Sequence, residues 1–286
     1  MQHTHTDSPE PISERGAGSP VFAAVLCAAG SSARMGGVKK EYQRLPRAAA
    51  CGYKNRTVLG AAASTFAAAC GSGSRTVLGA AASTFAACPR LSVIVISVPS
   101  NAEQGEQAAR QALPAHLLAE DAPVKILFAA GGASRRISVL NALTALEVYA
   151  PDYVLIHDGA RPWISPALIN SLLDAVQQYK AVIPAMPAVE TPKQIDGEGF
   201  IIKNLTRRSI VLAQTPQAFA FAEILGAHRA ADQKAALNHV DGCHVPDGCR
   251  EYTDDAEVWG AFNEQPIKII DGDKQNVKIT FREDLY

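Results

Sequence analysis

Three short stretches hold the residues whose types and spacing suit them to chemistry. Ala28-Ala29-Gly30-Ser31-Ser32 leads to Arg34 and then to Lys39-Lys40; Gly131-Gly132 precedes Ser138; and His157-Asp158-Gly159-Ala160-Arg161-Pro162 sets a carboxylate three residues before a guanidinium. Small residues that leave backbone N–H groups open, with cations within or close behind the stretch, suit a chain to hold phosphates. The spacing is not that of a Walker loop. It is not the dinucleotide fingerprint either, because Ser32 stands where a second glycine would be needed. Taken singly, each stretch is equally a strand–turn–helix junction whose glycine only makes the turn.

The elements around these stretches decide between the two readings. The apolar run Val21–Ala29 reads as a buried strand broken at Gly30, and Leu91–Val98, Val124–Phe128, Tyr153–His157 and Ala181–Ile183 read the same way. Between them, Ile137–Ala150 has apolar residues at helical spacing. Ser165 caps a helix expected over Pro166–Tyr179, with proline at its first position. Strands alternating with helices predict an α/β fold with a doubly wound, mostly parallel sheet. In such a sheet ligands bind beyond the carboxyl ends of the strands, which puts Gly30, Gly131-Gly132 and Asp158 on one rim. Pro184–Arg208, with Pro184, Pro187 and Pro192 and a turn at Asp196–Gly199, predicts a hairpin-like excursion with apolar edges suited to a second subunit. Thr253 is expected to cap a helix beginning at Asp254, and Ile267–Ile270 is the last expected strand.

Composition narrows the class of partner. With a net charge of −1 there is no global case for nucleic acid or an anionic membrane surface, so any phosphate site must be local. No apolar run is long enough to span a bilayer, and the N-terminus is polar, unlike a signal peptide. Six cysteines without CxxC pairing imply reduced thiols and a cytoplasmic protein; Cys243, His244 and Cys249 form a weak zinc pattern. Residues 1–20, with His3 and His5, are expected to form a disordered tail ahead of one domain over 21–286. Within it Arg56–Ala68 recurs unchanged as Arg75–Ala87, joined across Gly71-Ser72-Gly73-Ser74. Two copies are too few for a solenoid, and only the second leads straight into a strand, so the first reads as a looped-out duplication inside the insert 56–87.

The ordered motifs resemble those of the sugar-phosphate cytidylyltransferases of the non-mevalonate isoprenoid pathway. Ala28–Gly30 with Arg34-Met35 and Lys40-Glu41-Tyr42 is similar to AAGxGxRM…KQ[YF]; Gly131–Val139 to GGxxRxxSV; and His157–Pro162 to HD[AG]ARP. Ala213–Gln217, Thr253–Ala256 and Asn276–Thr280 match later blocks in order, so the resemblance covers about residues 21–286. It implies a Rossmann-like nucleotidyltransferase fold with a protruding β-arm, about residues 186–207, exchanged within a homodimer.

The activity so implied is transfer of the cytidylyl group of CTP to 2-C-methyl-D-erythritol 4-phosphate, with no nucleic-acid or membrane partner. Arg34 and Lys40 would act on the α-phosphate and the departing pyrophosphate. Ala28, Ala29, Gly30, Gly131, Gly132 and Ser138 would frame the cytosine. Asp158 would lie near the ribose and the incoming alcohol, or near Mg²⁺ held mainly by CTP phosphates and water. Arg161 is expected to brace its loop. Thr191, Arg207, Thr215 and Lys278 would bind the substrate phosphate, the first two from the arm. Several positions depart from the family pattern: Ser32, Glu41 for glutamine, Glu190 for aspartate and Pro192 for an aliphatic residue. Lys39-Lys40 leaves a choice of lysine, and the register of Tyr42 favours Lys40. Alternatives are a ribitol-5-phosphate cytidylyltransferase and a catalytically silent nucleotide-binding dimer; an NAD-linked oxidoreductase lacks its glycine fingerprint.

Overall fold

The computed structural model describes residues 18–30, 39–45, 76–240 and 252–285. The tail to residue 17, Arg34, the first repeat copy, and Cys243, His244 and Cys249 lie outside them. The elements are β1 (Phe22–Cys27), α1 (Val77–Ala86), β2 (Leu91–Val98), α2 (Ala102–Ala112), β3 (Lys125–Ala130), α3 (Arg135–Leu146), β4 (Tyr153–Asp158) and α4 (Pro166–Tyr179). After these come β5 (Ala181–Pro187), β6 (Lys193–Ile195), β7 (Ile201–Asn204), β8 (Val211–Ala213), β9 (Gln217–Ala220), α5 (Phe221–Val240), α6 (Asp255–Phe262) and β10 (Lys268–Asp271).

The main sheet has the order β10-β5-β9-β4-β1-β2-β3, with β8 added against β5. Its pairings are parallel except those of β9 with β4 and β5 and of β8 with β5. Alternate strand residues feed two cores. Leu26, Ile94, Ile96 and Leu155 meet α1, α2 and α4 on one face, while Val25, Val95, Ile156 and Phe219 meet α3, α5 and α6 on the other. The fold is therefore doubly wound and mostly parallel, as the alternation predicts.

The departures have local causes. Ser134 takes an N–H from Ile137, so α3 begins at Arg135 rather than Ile137. The cap of α6 is Asp254, one residue past the expected Thr253. Asp254 accepts from the Glu257 N–H, while Thr253 donates backbone N–H and hydroxyl to Glu257. β9 is four residues long, too short to show a period, and was not anticipated.

All of α1 except Ser83 is buried, which explains its run of small residues. A Cβ at Gly79 would lie 2.7 Å from the Ala112 carbonyl oxygen at the end of α2. The second repeat copy supplies this helix. Deleting residues 56–74 is expected to shift the melting midpoint by less than about 2 °C. Loss of a cooperative melt would show instead that the fold needs the first copy.

The strands at the two ends of that order, β3 and β10, each open on a lysine set over an aromatic ring. The Lys125 ammonium lies 5.4 Å from the Tyr149 ring centre and that of Lys268 5.3 Å from Tyr179, while the Arg110 guanidinium lies 4.7 Å from Phe128.

Candidate active site

A cavity of about 650 Å³ opens beyond the carboxyl ends of β1, β2 and β4. Ala29 and Gly30 from β1, Ser97 and Pro99 from β2, and Gly132 and Ser138 at the start of α3 form one wall. Lys39, Lys40, Glu41, Arg135, Asp158 and Lys278 bring charge to it, four cations against two carboxylates. The rim predicted from three strand ends is thus one continuous site.

The glycine turn is shaped by close approach. At Gly131 a Cβ would stand 2.5 Å from the Ala29 Cβ, and at Gly132 it would stand 2.0 Å from Ile137 Cγ2. The Ser138 hydroxyl accepts the Gly132 N–H at 3.0 Å and donates to the Ser134 carbonyl at 2.9 Å. Ser138 therefore both fixes the turn and lines the cavity. Ala28 is fully buried, its N–H donated to Ser97, so it supports the wall from behind.

Asp158 is the centre of the charge cluster. Its carboxylate lies 2.7 Å from the Lys278 ammonium, 3.6 Å from Arg135 Nε and 3.7 Å from Arg161 Nε. Burial would raise its pKa, but Arg135 and Lys278 outweigh burial and hold the carboxyl well below the usual range. Arg161 also donates to the Asn276 carbonyl at 2.7 Å, bracing the loop as expected. The Cys27 thiol, pushed up to about 12 by burial, stays protonated and is no nucleophile.

Behind Asp158 lies a neutral network. Thr215 Oγ1 accepts the Asp158 N–H at 3.0 Å and lies 3.1 Å from His157 Nδ1, while His157 Nε2 lies 3.1 Å from the Arg161 carbonyl. A carbonyl only accepts, so Nε2 carries the proton and Nδ1 accepts from the threonine. Thr215 is therefore spent on shaping the Asp158 loop and lies behind the cavity wall. Burial lowers the His157 pKa from 6.5 to about 4. Because the folded value is the lower one, its stabilisation is complete above about pH 6.5 and is lost as the pH falls through about 4. The loss is on the order of 3 kcal/mol. Thermal melts should show this acid limb, and His157→Gln should flatten it.

Lys39 donates to the carbonyls of Ala29 and Gly30, which ties the segment after the loop back to β1. Lys40 opens the short turn Lys40–Tyr42 beside it. Thr191 and Arg207 are elsewhere, on the exposed arm, where Arg207 donates to the Val189 carbonyl at 3.0 Å. Within one chain they do not line the cavity. The residue that sequence reasoning left without a role is Arg135, although the GGxxRxxSV block contained it.

A family model described as IspD, 2-C-methyl-D-erythritol 4-phosphate cytidylyltransferase, matches residues 67–286. The chain is 39% identical over 156 residues to a bifunctional enzyme IspD/IspF of Bradyrhizobium sp. strain BTAi1, covering 54% of this chain and 36% of that protein. It is 40% identical over 157 residues to a 2-C-methyl-D-erythritol 4-phosphate cytidylyltransferase of Pelotomaculum thermopropionicum, covering 54% of this chain and 58% of the relative. The chain thus spans about a third of the length of the bifunctional relatives it matches. In fold it is similar to the Francisella tularensis 2-C-methyl-D-erythritol 4-phosphate cytidylyltransferase (TM-score 0.63, 24% identity, 93% of this chain and 96% of that one). A similar likeness holds to 4-diphosphocytidyl-2C-methyl-D-erythritol synthase of Anaerococcus prevotii (TM-score 0.64, 22% identity, 93% of each chain). With the family model matched over most of its length, the chain belongs to the IspD family.

Proposed function

We propose that the chain transfers the cytidylyl group of CTP to 2-C-methyl-D-erythritol 4-phosphate and releases pyrophosphate. What carries the reading is the grouping of Lys39, Lys40, Arg135 and Lys278 with the glycine turn around one cavity, in a chain of this family. An oxygen of the substrate phosphate attacks the α-phosphorus in line. The bond from that phosphorus to the bridging oxygen breaks, and pyrophosphate takes the electron pair. Both reactants are anions, so the work is positioning and charge stabilisation, with no covalent enzyme intermediate. Lys40 faces the departing pyrophosphate, Lys278 and Arg135 face the reacting phosphates, and Asp158 keeps those two cations apart and oriented. Gly132, Ser138 and the Ala29–Gly30 backbone frame the base.

Among the described residues no three His, Cys, Asp or Glu side chains gather into a metal cage. Mg²⁺ would be carried mainly by triphosphate oxygens and water, with Asp158, which lines the cavity, as the nearby carboxylate. When bound, the ion would neutralise charge developing on the phosphates.

The arm supports assembly with a second copy. β6 and β7 form a separate two-stranded sheet, and a lone hairpin is marginal in water. Ile195, Phe200, Ile201 and Ile202 on it are all more than half exposed. A partner subunit would cover them and bring Thr191 and Arg207 towards the neighbouring cavity. No helix among the described residues is long and apolar enough to cross a membrane.

The test is pyrophosphate release with CTP and Mg²⁺, offering methylerythritol 4-phosphate and ribitol 5-phosphate in parallel. Release with the first alone is expected. Release with the second alone would move the protein to pentitol-phosphate chemistry, and silence with both would leave a nucleotide-binding dimer.

A further inference from the structure

Arg135 is anchored from both sides. Its Nη2 donates to Asp255 Oδ2 at 2.8 Å, and its Nε lies 3.6 Å from Asp158 Oδ1. Nη1 has no hydrogen bond to any described residue, and the side chain as a whole keeps 26% of its surface at the cavity. Asp255 is fully buried at the first residue of α6, and the equally buried His228 of α5 places Nε2 3.2 Å from its Oδ1. The position of Asp255 is itself fixed from the sheet. The side-chain amide of Gln217 on β9 donates to Asp254 at 2.8 Å and accepts the Ala256 N–H at 2.9 Å. One glutamine thus grips both neighbours of Asp255.

We propose that Asp255, backed by His228 and registered by Gln217, is the positioning residue of Arg135, holding its guanidinium at the cavity wall beside Asp158 with one nitrogen left for substrate phosphate. The arrangement gives a task to Gln217 and Asp255, which otherwise had none. A guanidinium is a planar fork, so a carboxylate taking Nη2 fixes the whole plane. Without Asp255, Arg135 would still be charged and still near Asp158, but free to swing onto Asp158 and lose its aim. The cost to the reaction would be misplacement.

The proposal rests on the cytidylyl-transfer reading, and its test separates the two. In full-length protein, Asp255→Asn, Arg135→Gln and the double variant are compared with the unaltered chain, with folding checked by circular dichroism. Asp255→Asn should lower kcat/KM about 10²-fold in the native background, and by less than about twofold once Arg135 is already glutamine. A purely structural Asp255 would cost the same in both backgrounds, and that result would overturn the proposal. Should Asp255→Asn fail to fold, His228→Gln takes its place in the cycle, with equal losses in both backgrounds again the overturning result. A readout independent of activity is proton NMR of the Arg135 guanidinium. Separate Nη resonances, showing hindered rotation, are expected in the unaltered protein and should merge in Asp255→Asn. If the unaltered protein releases no pyrophosphate, the functional reading fails, and the NMR comparison still decides whether Asp255 holds Arg135; unchanged spectra would refute it.

Discussion

Lys40→Ala is expected to cut turnover about 10²–10³-fold while the protein keeps its fold, the range for losing one preorganised group that meets developing charge. The side chain lines the cavity at the start of a short turn, where it can face a leaving pyrophosphate. Lys39 sits one residue earlier with its ammonium already bound to the Ala29 and Gly30 carbonyls. Lys39→Ala should therefore act chiefly on the KM for CTP, through a loosened loop. Steady-state kinetics on both variants decide the choice that sequence register alone left open. A large kcat loss at Lys39 with little at Lys40 would exchange the two roles.

Asp158→Ala should be the most damaging single change to stability and activity together. It leaves Arg135, Arg161 and Lys278 facing one another across a half-buried space without their shared carboxylate. Removing one partner of a buried ionic cluster costs about 3–5 kcal/mol, and the partial exposure of Lys278 puts this case at the low end, about 3 kcal/mol. Urea unfolding measures the loss. Turnover should fall with it, because Arg135 and Lys278 lose the group that holds them apart. Asp158→Asn, which keeps the shape and the acceptor oxygen, should recover part of the stability but little of the turnover. Equal stability in Asp158→Ala and the unaltered protein would mean that the three cations reach water more freely than the contacts imply.

The sequence made the parallel part of the fold legible because its strands are apolar runs, with β1, β2 and β4 largely buried. Leu91–Val98 and Pro166–Tyr179 match the observed elements residue for residue, the latter because Ser165 and Pro166 mark its start so clearly. Long-range antiparallel pairing was not legible. β9 is inserted between β4 and β5, and nothing in four residues specifies neighbours that lie as far back as Tyr153 on β4 and Ala181 on β5. At the site, Gly30, Gly132, Ser138, Asp158 and Lys278 do share one cavity. Thr215 read as a ligand because its motif sits beside the site, yet its hydroxyl is consumed by Asp158 and His157. Arg135 was visible as a letter in a motif. What gives it meaning is Asp255, which lies 120 residues away in the chain.

The lysines at the two ends of the sheet bear on how the protein behaves when concentrated. A chain with an exposed aliphatic arm and two open strand edges has the makings of a polymer, since each edge offers unpaired backbone groups to another molecule. Lys125 and Lys268 stand at the first residues of those edge strands, each anchored on a tyrosine ring, so that an incoming strand would meet fixed positive charge on either side. Growth through the sheet is thereby discouraged at both ends. Fixed charge at both ends of the strand order therefore opposes sheet-to-sheet growth into fibres.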